Sequence, residues 1–203
     1  MLVVADTTVS PCLVTLGTAN NYGDPQVRPR LIIIAAKNFC QMPKHPVPTH
    51  GEARHLKPYV NVADVLEYLR TPAAQNLPNM DQNPSQQKNP IQLYKHNFAP
   101  AMLASKTALR HYAEDRLITA REAATLQSFP LDYQFLGTVK DQFKQIGNAV
   151  PIEMSRAIAR SVRESLCYRY VEEQEAEAAQ SESTTNDGGM EEDATLDETT
   201  VTV

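Results

Sequence analysis

The chain has 203 residues, a hydrophobic content of 42% and a formal net charge of −5 at pH 7. This length suits one domain, alone or with an appendage, and the composition is ordinary for a soluble protein. The three cysteines, Cys12, Cys40 and Cys167, form no CxxC pair, and the five histidines lack metal-ligand spacing, which argues against a disulfide framework and a metal site.

The charge is distributed unevenly along the chain. Residues 171–203 contain 11 acidic residues and no Lys or Arg, which leaves 13 acidic against 19 basic residues, a charge of +6, in residues 1–170. A basic body fits a surface that faces nucleic acid, and equally a mildly basic domain without such a partner. The acidic tail is expected to be disordered, because it has too little apolar surface to offset the entropy of ordering. No signal peptide or membrane-spanning segment is found, so we expect an intracellular protein.

The first predicted elements follow from hydrophobic spacing. Residues 1–20 show no clear element, and the continuous β-branched run at residues 31–36 predicts a strand that is buried on both faces. A short helix is expected at residues 62–69, where apolar residues recur at helical spacing before a Thr-Pro pair. The Asn-, Gln- and Pro-rich stretch at residues 73–90 is expected to be irregular.

Two further helices are predicted near the C-terminal end. Thr119 and Glu122 form a capping-box pattern, so a helix should begin there and run to about residue 128. Pro151 fits the first turn of another helix, because its missing N–H costs nothing at that position. This helix should reach about residue 168, and one of its faces is traced by Ile152, Ser155, Ala159, Val162 and Leu166.

Three segments with distinctive sequences occur in a fixed order along the chain. QVRPR at residues 26–30 precedes the predicted strand, RLITAREAATLQSFP occupies residues 116–130, and QIGNAVP occupies residues 145–151. Together with PTHG at residues 48–51, they resemble the Gln-x-Arg-x-Arg block and the last two blocks of the DNA cytosine-5 methyltransferases. Any one of these segments would be a weak signal, whereas three in the family's order are a strong one.

The resemblance, which covers residues from about 19 to 170, implies an α/β fold. The chain would be the C-terminal part of a Rossmann-like, S-adenosylmethionine-dependent methyltransferase with a small target-recognition subdomain and a disordered tail. The expected organisation is a partial catalytic-domain segment at 1–51, the recognition subdomain at 52–144, a cofactor-side segment with a closing helix at 145–170, and the tail at 171–203.

The resemblance also implies roles for individual residues. The family flips a cytosine out of the duplex and methylates its carbon 5 with S-adenosylmethionine. Arg30 would donate hydrogen bonds near the exocyclic oxygen of the base, while Arg28 and Gln26 would support this wall of the pocket. The cofactor would lie against four consecutive residues, Gly147, Asn148, Ala149 and Val150. The block at residues 116–130 would be architectural.

The nucleophile is the main departure from the family pattern. The family's cysteine lies in Pro-Cys-Gln, whereas Cys12 is followed by Leu13 and stands only 14 residues before Gln26, with no Glu-Asn-Val block between them. The glycine-rich cofactor loop is also missing from residues 1–18. We therefore expect Cys12 to be an ordinary small apolar residue, and the chain to be a truncated fragment that is inactive alone and exposes an apolar face.

Two other interpretations stay open. The chain would be the C-terminal subunit of a split methyltransferase, completed by a second chain that carries the cysteine, or it would be a non-catalytic module that binds DNA or a partner protein. DNA is the expected partner by family, and no contact with a membrane is expected. The location would be nuclear if the source is eukaryotic.

Overall fold

The computed structural model of the chain describes residues 12–36, 41–80, 89–102 and 108–166. The predictions for residues 1–11 and for the tail at 171–203 fall outside the described residues. The described residues up to Ser165 form one compact unit. Its described part combines short strands, 3₁₀ turns and four α-helices, so the expected mixture of helix and strand is present.

The first described segment contains three strands, β1 (Cys12–Thr18), β2 (Gln26–Val27) and β3 (Pro29–Ala35). Strands β1 and β3 form an antiparallel pair in which Gly17 lies opposite Arg30. The expectation that residues 1–20 contain no clear element was therefore wrong for residues 12–18. Their side chains alternate between the core and solvent, which is typical of a strand with one buried face.

The prediction for residues 31–36 was correct in kind but wrong about burial. Strand β3 buries Ile32 and Ile34, whereas Leu31 and Ile33 on its other face are 62% and 61% exposed. Exposed side chains of β3 pair with exposed side chains of β1, as in Val14 with Ile33 and Leu16 with Leu31. Within the described residues, the two strands therefore present one apolar face outwards. We call this outward face the open face of the hairpin; it consists of Val14, Leu16, Leu31 and Ile33.

A tight reversal connects β1 to β2. A 3₁₀ turn at Ala19–Tyr22 ends at Gly23, which has a φ of 101° and donates its N–H to the Asn20 carbonyl. A Cβ at this glycine would lie 2.6 Å from Cε1 of His50. Both the positive φ and the close histidine ring therefore require glycine here.

The middle of the chain begins with helix α1 (Val62–Leu66), which is shorter than the predicted helix at residues 62–69. Asn61 caps it, and the Asp64 carboxylate accepts a hydrogen bond from the Asn61 N–H, so a capping box opens the helix. After α1 the chain tightens into 3₁₀ turns at Tyr68–Arg70 and Pro72–Ala74. Residues 75–80 are turns, as predicted for this stretch, while residues 81–88 fall outside the described part.

Three two-residue strands follow, β4 (Ile91–Gln92), β5 (Ala99–Pro100) and β6 (Leu109–Arg110). Strand β5 pairs in parallel with β2, and β4 pairs in parallel with β6. The β2–β5 pairing places the arginine segment beside the middle region of the chain.

Three helices complete the described fold, α2 (Ala120–Thr125), α3 (Val139–Asn148) and α4 (152–166). The predicted capping box of α2 is confirmed, because the Thr119 hydroxyl accepts from the Glu122 N–H and the Glu122 carboxylate accepts from the Thr119 N–H. Helix α3 was not predicted. It opens with a capping box at Thr138 and Asp141 and continues through the expected boundary between residues 144 and 145.

Helix α4 directly follows Pro151, as predicted, and its buried side chains differ from the five residues that trace one face in the sequence. Met154 is fully buried and Ser161 is buried, whereas Ala159 and Leu166 are exposed. The helix turns Met154 towards β1, where a Cβ on Gly17 would lie 3.0 Å from the Met154 methyl group. Ser161 donates to a main-chain carbonyl of the loop after β3. A buried, hydrogen-bonded serine does not appear in a pattern based on apolar residues.

Two hydrophobic clusters support these elements. The smaller one packs the start of α4 against the inner face of the hairpin, through Ala19, Tyr22, Ile32, Ile34 and Met154. The larger one joins α1, α2 and the short strands, and its fully buried members include Val62, Leu66, Leu93, Leu109, Ile118, Ala123, Leu126 and Ile146. The segment between α3 and α4 therefore crosses from one cluster to the other.

Candidate functional site

Three buried polar side chains alternate through strand β2 and its flanks. Asp24 and Gln26 are fully buried and Arg28 is 2% exposed. Because alternate residues of an extended segment project to the same side, we treat them as one feature, the polar row. Asp24 and Arg28 both bond to the chain between the end of α3 and the first turn of α4.

Arg28 joins three parts of the fold through main-chain carbonyls. Its Nη1 donates to the Met102 carbonyl at 2.7 Å, and its Nη2 donates to the carbonyls of Gly147 and Ala149 at 2.6 and 3.2 Å. Burial and the neighbouring charge of Arg30 lower the pKa of Arg28. A planar guanidinium suits this arrangement, because its N–H groups diverge in fixed directions towards separate acceptors.

Arg30 has a different environment, although only one residue separates it from Arg28. Strand β3 begins at Pro29, after Arg28, so the strand does not include both arginines. The Arg30 side chain is partly exposed and donates through Nη1 to the Pro29 carbonyl at 2.7 Å. It makes no other hydrogen bond to a described residue, so most of its N–H groups remain available to a ligand.

The segment 147–150 lies between α3 and α4 and is fixed mainly through its main chain. Its backbone carbonyls accept from Arg28, and Gln127 from the end of α2 donates to the adjacent Ile146 carbonyl. The Gln127 carbonyl in turn accepts from the Ile152 N–H at 3.2 Å. Among the four expected cofactor-side residues, Gly147 is buried, Ala149 is half-buried, and Asn148 and Val150 are exposed.

Asp24 fixes the other end of this connection. Its Oδ2 accepts from the Met154 N–H at 3.1 Å. Burial raises the pKa of the Asp24 carboxyl to about 6, and the charge of Glu153 adds to the rise, although hydrogen bonds from Ser128 and from main-chain N–H groups oppose it. The sequence interpretation missed both Asp24 and Gln127. The available signal was an acidic residue immediately before a proline in an otherwise uncharged stretch, and a glutamine inside an apolar helix pattern.

These segments match one family of known proteins. The model of the family "C-5 cytosine-specific DNA methylase" matches residues 73–164. The type II methyltransferase M1.HphI of Haemophilus parahaemolyticus is 31% identical over 170 residues, which cover 71% of this chain. The chain belongs to the C-5 cytosine-specific DNA methylases.

Other relatives include the DNA (cytosine-5)-methyltransferase CMT2 of Oryza sativa, which is 56% identical over 55 residues, or 27% of the chain. The matches span 45% of the Haemophilus protein and 4% of the rice protein. A crystal structure of a DNA modification methyltransferase encoded within an E. coli prophage has a TM-score of 0.54 with this chain at 18% identity. The match covers 79% of this chain and 62% of the chain in that crystal structure. At that identity the likeness supports the α/β methyltransferase fold.

In this chain, Cys12 is remote from the paired arginines. It is the first residue of β1, it is exposed, and it lies five positions along the strand from Gly17, the partner of Arg30. A strand rises about 3.4 Å per residue, so about 17 Å separates the two positions. An odd offset also places Cys12 and Arg30 on opposite faces of the hairpin. This geometry does not bring a thiolate to Arg30.

The segment at residues 116–130 contains two buried charged groups with structural contacts. Glu122 is 1% exposed and receives two hydrogen bonds from Arg116, at 2.7 and 2.8 Å. This pairing raises the pKa of Arg116. Arg121 is fully buried and donates to the carbonyls of Pro78 and Pro130, each at 2.9 Å. These contacts agree with an architectural role for the block.

No described helix is long and apolar enough to cross a bilayer. Within the same residues, no three His, Cys, Asp or Glu side chains are grouped in a way that could hold a metal ion.

Proposed function

We propose that the chain forms the base-facing and cofactor-facing walls of a site that methylates carbon 5 of cytosine in DNA, with S-adenosylmethionine as methyl donor. One observation carries this proposal. Arg28 bonds to the Gly147 and Ala149 carbonyls, and so it joins the arginine segment to the segment expected to contact the cofactor. Two regions 119 residues apart in sequence thus become neighbouring parts of one surface.

On the base-facing wall, Arg30 would contact the flipped cytosine. Its guanidinium is partly exposed and uses one N–H group on the Pro29 carbonyl, so other N–H groups can donate to an exocyclic oxygen. Arg28 cannot take this role while it holds three carbonyls, and it instead supports the wall. Gln26 lies between Asp24 and Arg28 in the polar row and supports the same wall. Its amide atoms are buried without a hydrogen-bond partner among the described residues.

On the cofactor-facing wall, the exposed side chains suit a ligand with both polar and apolar parts. The side-chain amide of Asn148 makes no hydrogen bond to another described residue, and the Val150 side chain is 44% exposed. Gly147 has no side chain to obstruct close approach, and Ala149 contributes a small apolar surface. S-adenosylmethionine would supply the methyl group, while these residues bind and orient it.

A methyl-transfer assay with the purified chain, duplex DNA and radiolabelled S-adenosylmethionine tests whether the described residues suffice for catalysis. We expect no turnover, because Cys12 is on the wrong face of the hairpin to act beside Arg30. Turnover that is abolished by Cys12→Ser would contradict this expectation. Binding of S-adenosylmethionine, measured by calorimetry, tests the cofactor wall independently of catalysis.

DNA binding tests the base-facing wall. We expect the affinity for duplex DNA to fall with rising salt, because the phosphate backbone dominates such binding. Arg30→Met should weaken binding to DNA that contains an unpaired target cytosine by roughly tenfold, the order of one good arginine contact to a base. Arg156→Met on α4, which removes a 60% exposed arginine side chain paired with Glu153, is the matched control. Equal losses in both variants would count against a specific role of Arg30.

The open face of the hairpin favours a second candidate function, in which the chain acts as one subunit of a split methyltransferase. Leu16 is 73% exposed and Val14 is 55% exposed, beside Leu31 and Ile33 on the same face. Exposed apolar patches of this kind mark interaction surfaces. The occupant would be a chain that carries the family's cysteine, because Cys12 is exposed at the far end of β1 and lies on the opposite face of the hairpin from Arg30.

Mixing experiments separate these candidates. A subunit should gain methyl-transfer activity when it is combined with a complementary family chain that carries Pro-Cys-Gln, and Leu31→Lys should prevent this gain. A non-catalytic DNA-binding module would instead show salt-dependent DNA affinity without activity in any mixture. Because the proposed substrate is DNA, we propose an intracellular location, which would be the nucleus in a eukaryotic cell.

A further inference from the structure

Asp24 lies where three elements meet. It directly precedes Pro25 and β2, and its carboxylate accepts from Met154 in the first turn of α4. The Ser128 hydroxyl, at the end of α2, also favours the charged form of this carboxyl. The carboxylate is therefore fully buried among a strand start, a helix start and a helix end.

Helix α4 lacks a cap of its own. The first N–H groups of any helix have no partner inside the helix and are normally satisfied by the side chain of the preceding residue. Here the preceding residue is Pro151, whose ring offers no acceptor. Two distant groups replace it, since the Gln127 carbonyl accepts from Ile152 and the Asp24 carboxylate accepts from Met154.

We propose that Asp24 is a positioning residue that acts as a remote cap of α4. Because residues 147–150 connect directly to the first turn of α4, fixing that turn also fixes the wall that these residues form. Arg28 holds the start of the connection and Asp24 holds its end, so the two ends of the polar row fix both limits of the segment. The consequence for the cofactor rests on the proposed function, whereas the capping contact does not.

The charge state of Asp24 should tune this contact. An ionised carboxylate in a buried position is costly, and burial accordingly raises the pKa of Asp24 to about 6. The charged group that faces it from α4 is Glu153, which adds to the rise, and α2 contributes the uncharged hydroxyl of Ser128. If α4 detaches, Asp24 becomes hydrated and returns to an ordinary carboxyl pKa. Protonation therefore favours the attached state, and the attachment should weaken as the pH rises through about 6.

Amide hydrogen exchange of Met154 measures the attachment directly, because Asp24 is the acceptor of this N–H. After correction for intrinsic exchange, we expect Met154 protection in the wild-type chain to rise about tenfold between pH 7.5 and pH 5. Asp24→Asn keeps an acceptor without the charge, so its protection should be independent of pH and at least as high as the acidic wild-type value. Asp24→Ala should lose protection at every pH.

Asp64→Asn is the matched control, because Asp64 also lies at a helix start, on α1, but has no contact with α4. It should leave the Met154 profile unchanged. Identical pH profiles for the wild-type chain and Asp24→Asn would overturn the proposal, as would full Met154 protection in a folded Asp24→Ala variant. If Asp24→Ala does not fold, the Asp24→Asn profile still decides the question.

Calorimetric titration with S-adenosylmethionine extends the test to the cofactor wall. We expect the wild-type affinity to rise towards pH 5 and the Asp24→Asn affinity to be independent of pH. Failure of the wild-type chain to bind at any pH would count against the proposed function, while the Met154 exchange profile would still support or overturn the role of Asp24. The two measurements can also disagree. If Met154 protection depends on pH but the affinity for S-adenosylmethionine does not, the proposed link between the Asp24 cap and the cofactor wall is refuted.

Discussion

Replacing Arg28 with methionine should destabilise the fold substantially, because the side chain is almost fully buried and holds carbonyls from two separate regions. Arg28→Met keeps a long apolar side chain but removes the donors to Met102, Gly147 and Ala149. A hydrogen bond that involves a charged group contributes about 1.5–3 kcal/mol, and two of these three bonds are short. We therefore expect the free energy of unfolding to fall by about 3–5 kcal/mol.

Urea unfolding followed by far-UV circular dichroism measures this loss, and tyrosine fluorescence is a second probe, since the chain has eight tyrosines and no tryptophan. Arg30→Met is the matched control, because the Arg30 side chain is partly exposed and, among the described residues, bonds only to the adjacent Pro29 carbonyl. Surface substitutions usually change stability by about 0.5 kcal/mol or less. If Arg28→Met cost less than about 1 kcal/mol, or no more than Arg30→Met, the three bonds would not hold the site together.

Three further predictions concern other contacts. Glu122→Gln should destabilise the fold by about 3 kcal/mol in thermal or urea unfolding, because it leaves Arg116 without its buried counter-charge; an effect no larger than that of Asp115→Asn, at a 93% exposed carboxylate, would contradict this. Gly23→Ala should cost more than about 2 kcal/mol, since the position has a φ of 101° and no space beside His50; a soluble variant with unchanged melting temperature would refute it. Burial raises the folded-state pKa of Asp24 to about 6, above the ordinary aspartate pKa of about 4, so its contribution to stability is present below about pH 4 and is lost as the pH rises through 6. Asp24→Asn should therefore gain up to about 3 kcal/mol over the wild-type chain at pH 8 and converge with it at pH 4; a constant difference would contradict the assignment.

Local signals in the sequence predicted local structure well. The capping box at Thr119 and the proline before α4 identify helix starts through their own chemistry, and both starts occur where the sequence predicts them. Helix α3 was missed although Val139, Phe143 and Ile146 recur at helical spacing and Thr138 and Asp141 form the same kind of capping pattern as Thr119 and Glu122. A consistent search for capping pairs would have found it.

Tertiary contacts limited the other predictions. The buried face of α4 depends on Met154 packing against Gly17 and on Ser161 bonding to a loop carbonyl, and neither partner is adjacent in sequence. The expected roles of Arg28 and Arg30 came from a resemblance to known proteins. No pattern within this sequence shows that Arg28 is buried and bonded to main-chain carbonyls while Arg30 is partly exposed. Asp24 illustrates the same limit. In the sequence, a carboxylate before a proline resembles an ordinary turn residue, and only the folded structure shows its hydrogen bond with the Met154 N–H of α4.

The long sequence separations spanned by Arg28 also have a consequence for how the protein is made. Its bonds reach 74 and 119 residues along the chain, to Met102 and Gly147. At about 5–20 residues per second, a ribosome needs roughly 6–24 s to synthesise the second interval. During that time the hairpin has emerged without the segment that Arg28 will bind. The two segments that Arg28 joins are therefore among the last parts to assemble, and conditions that slow translation would prolong the exposure of the unpaired arginine and the incomplete core.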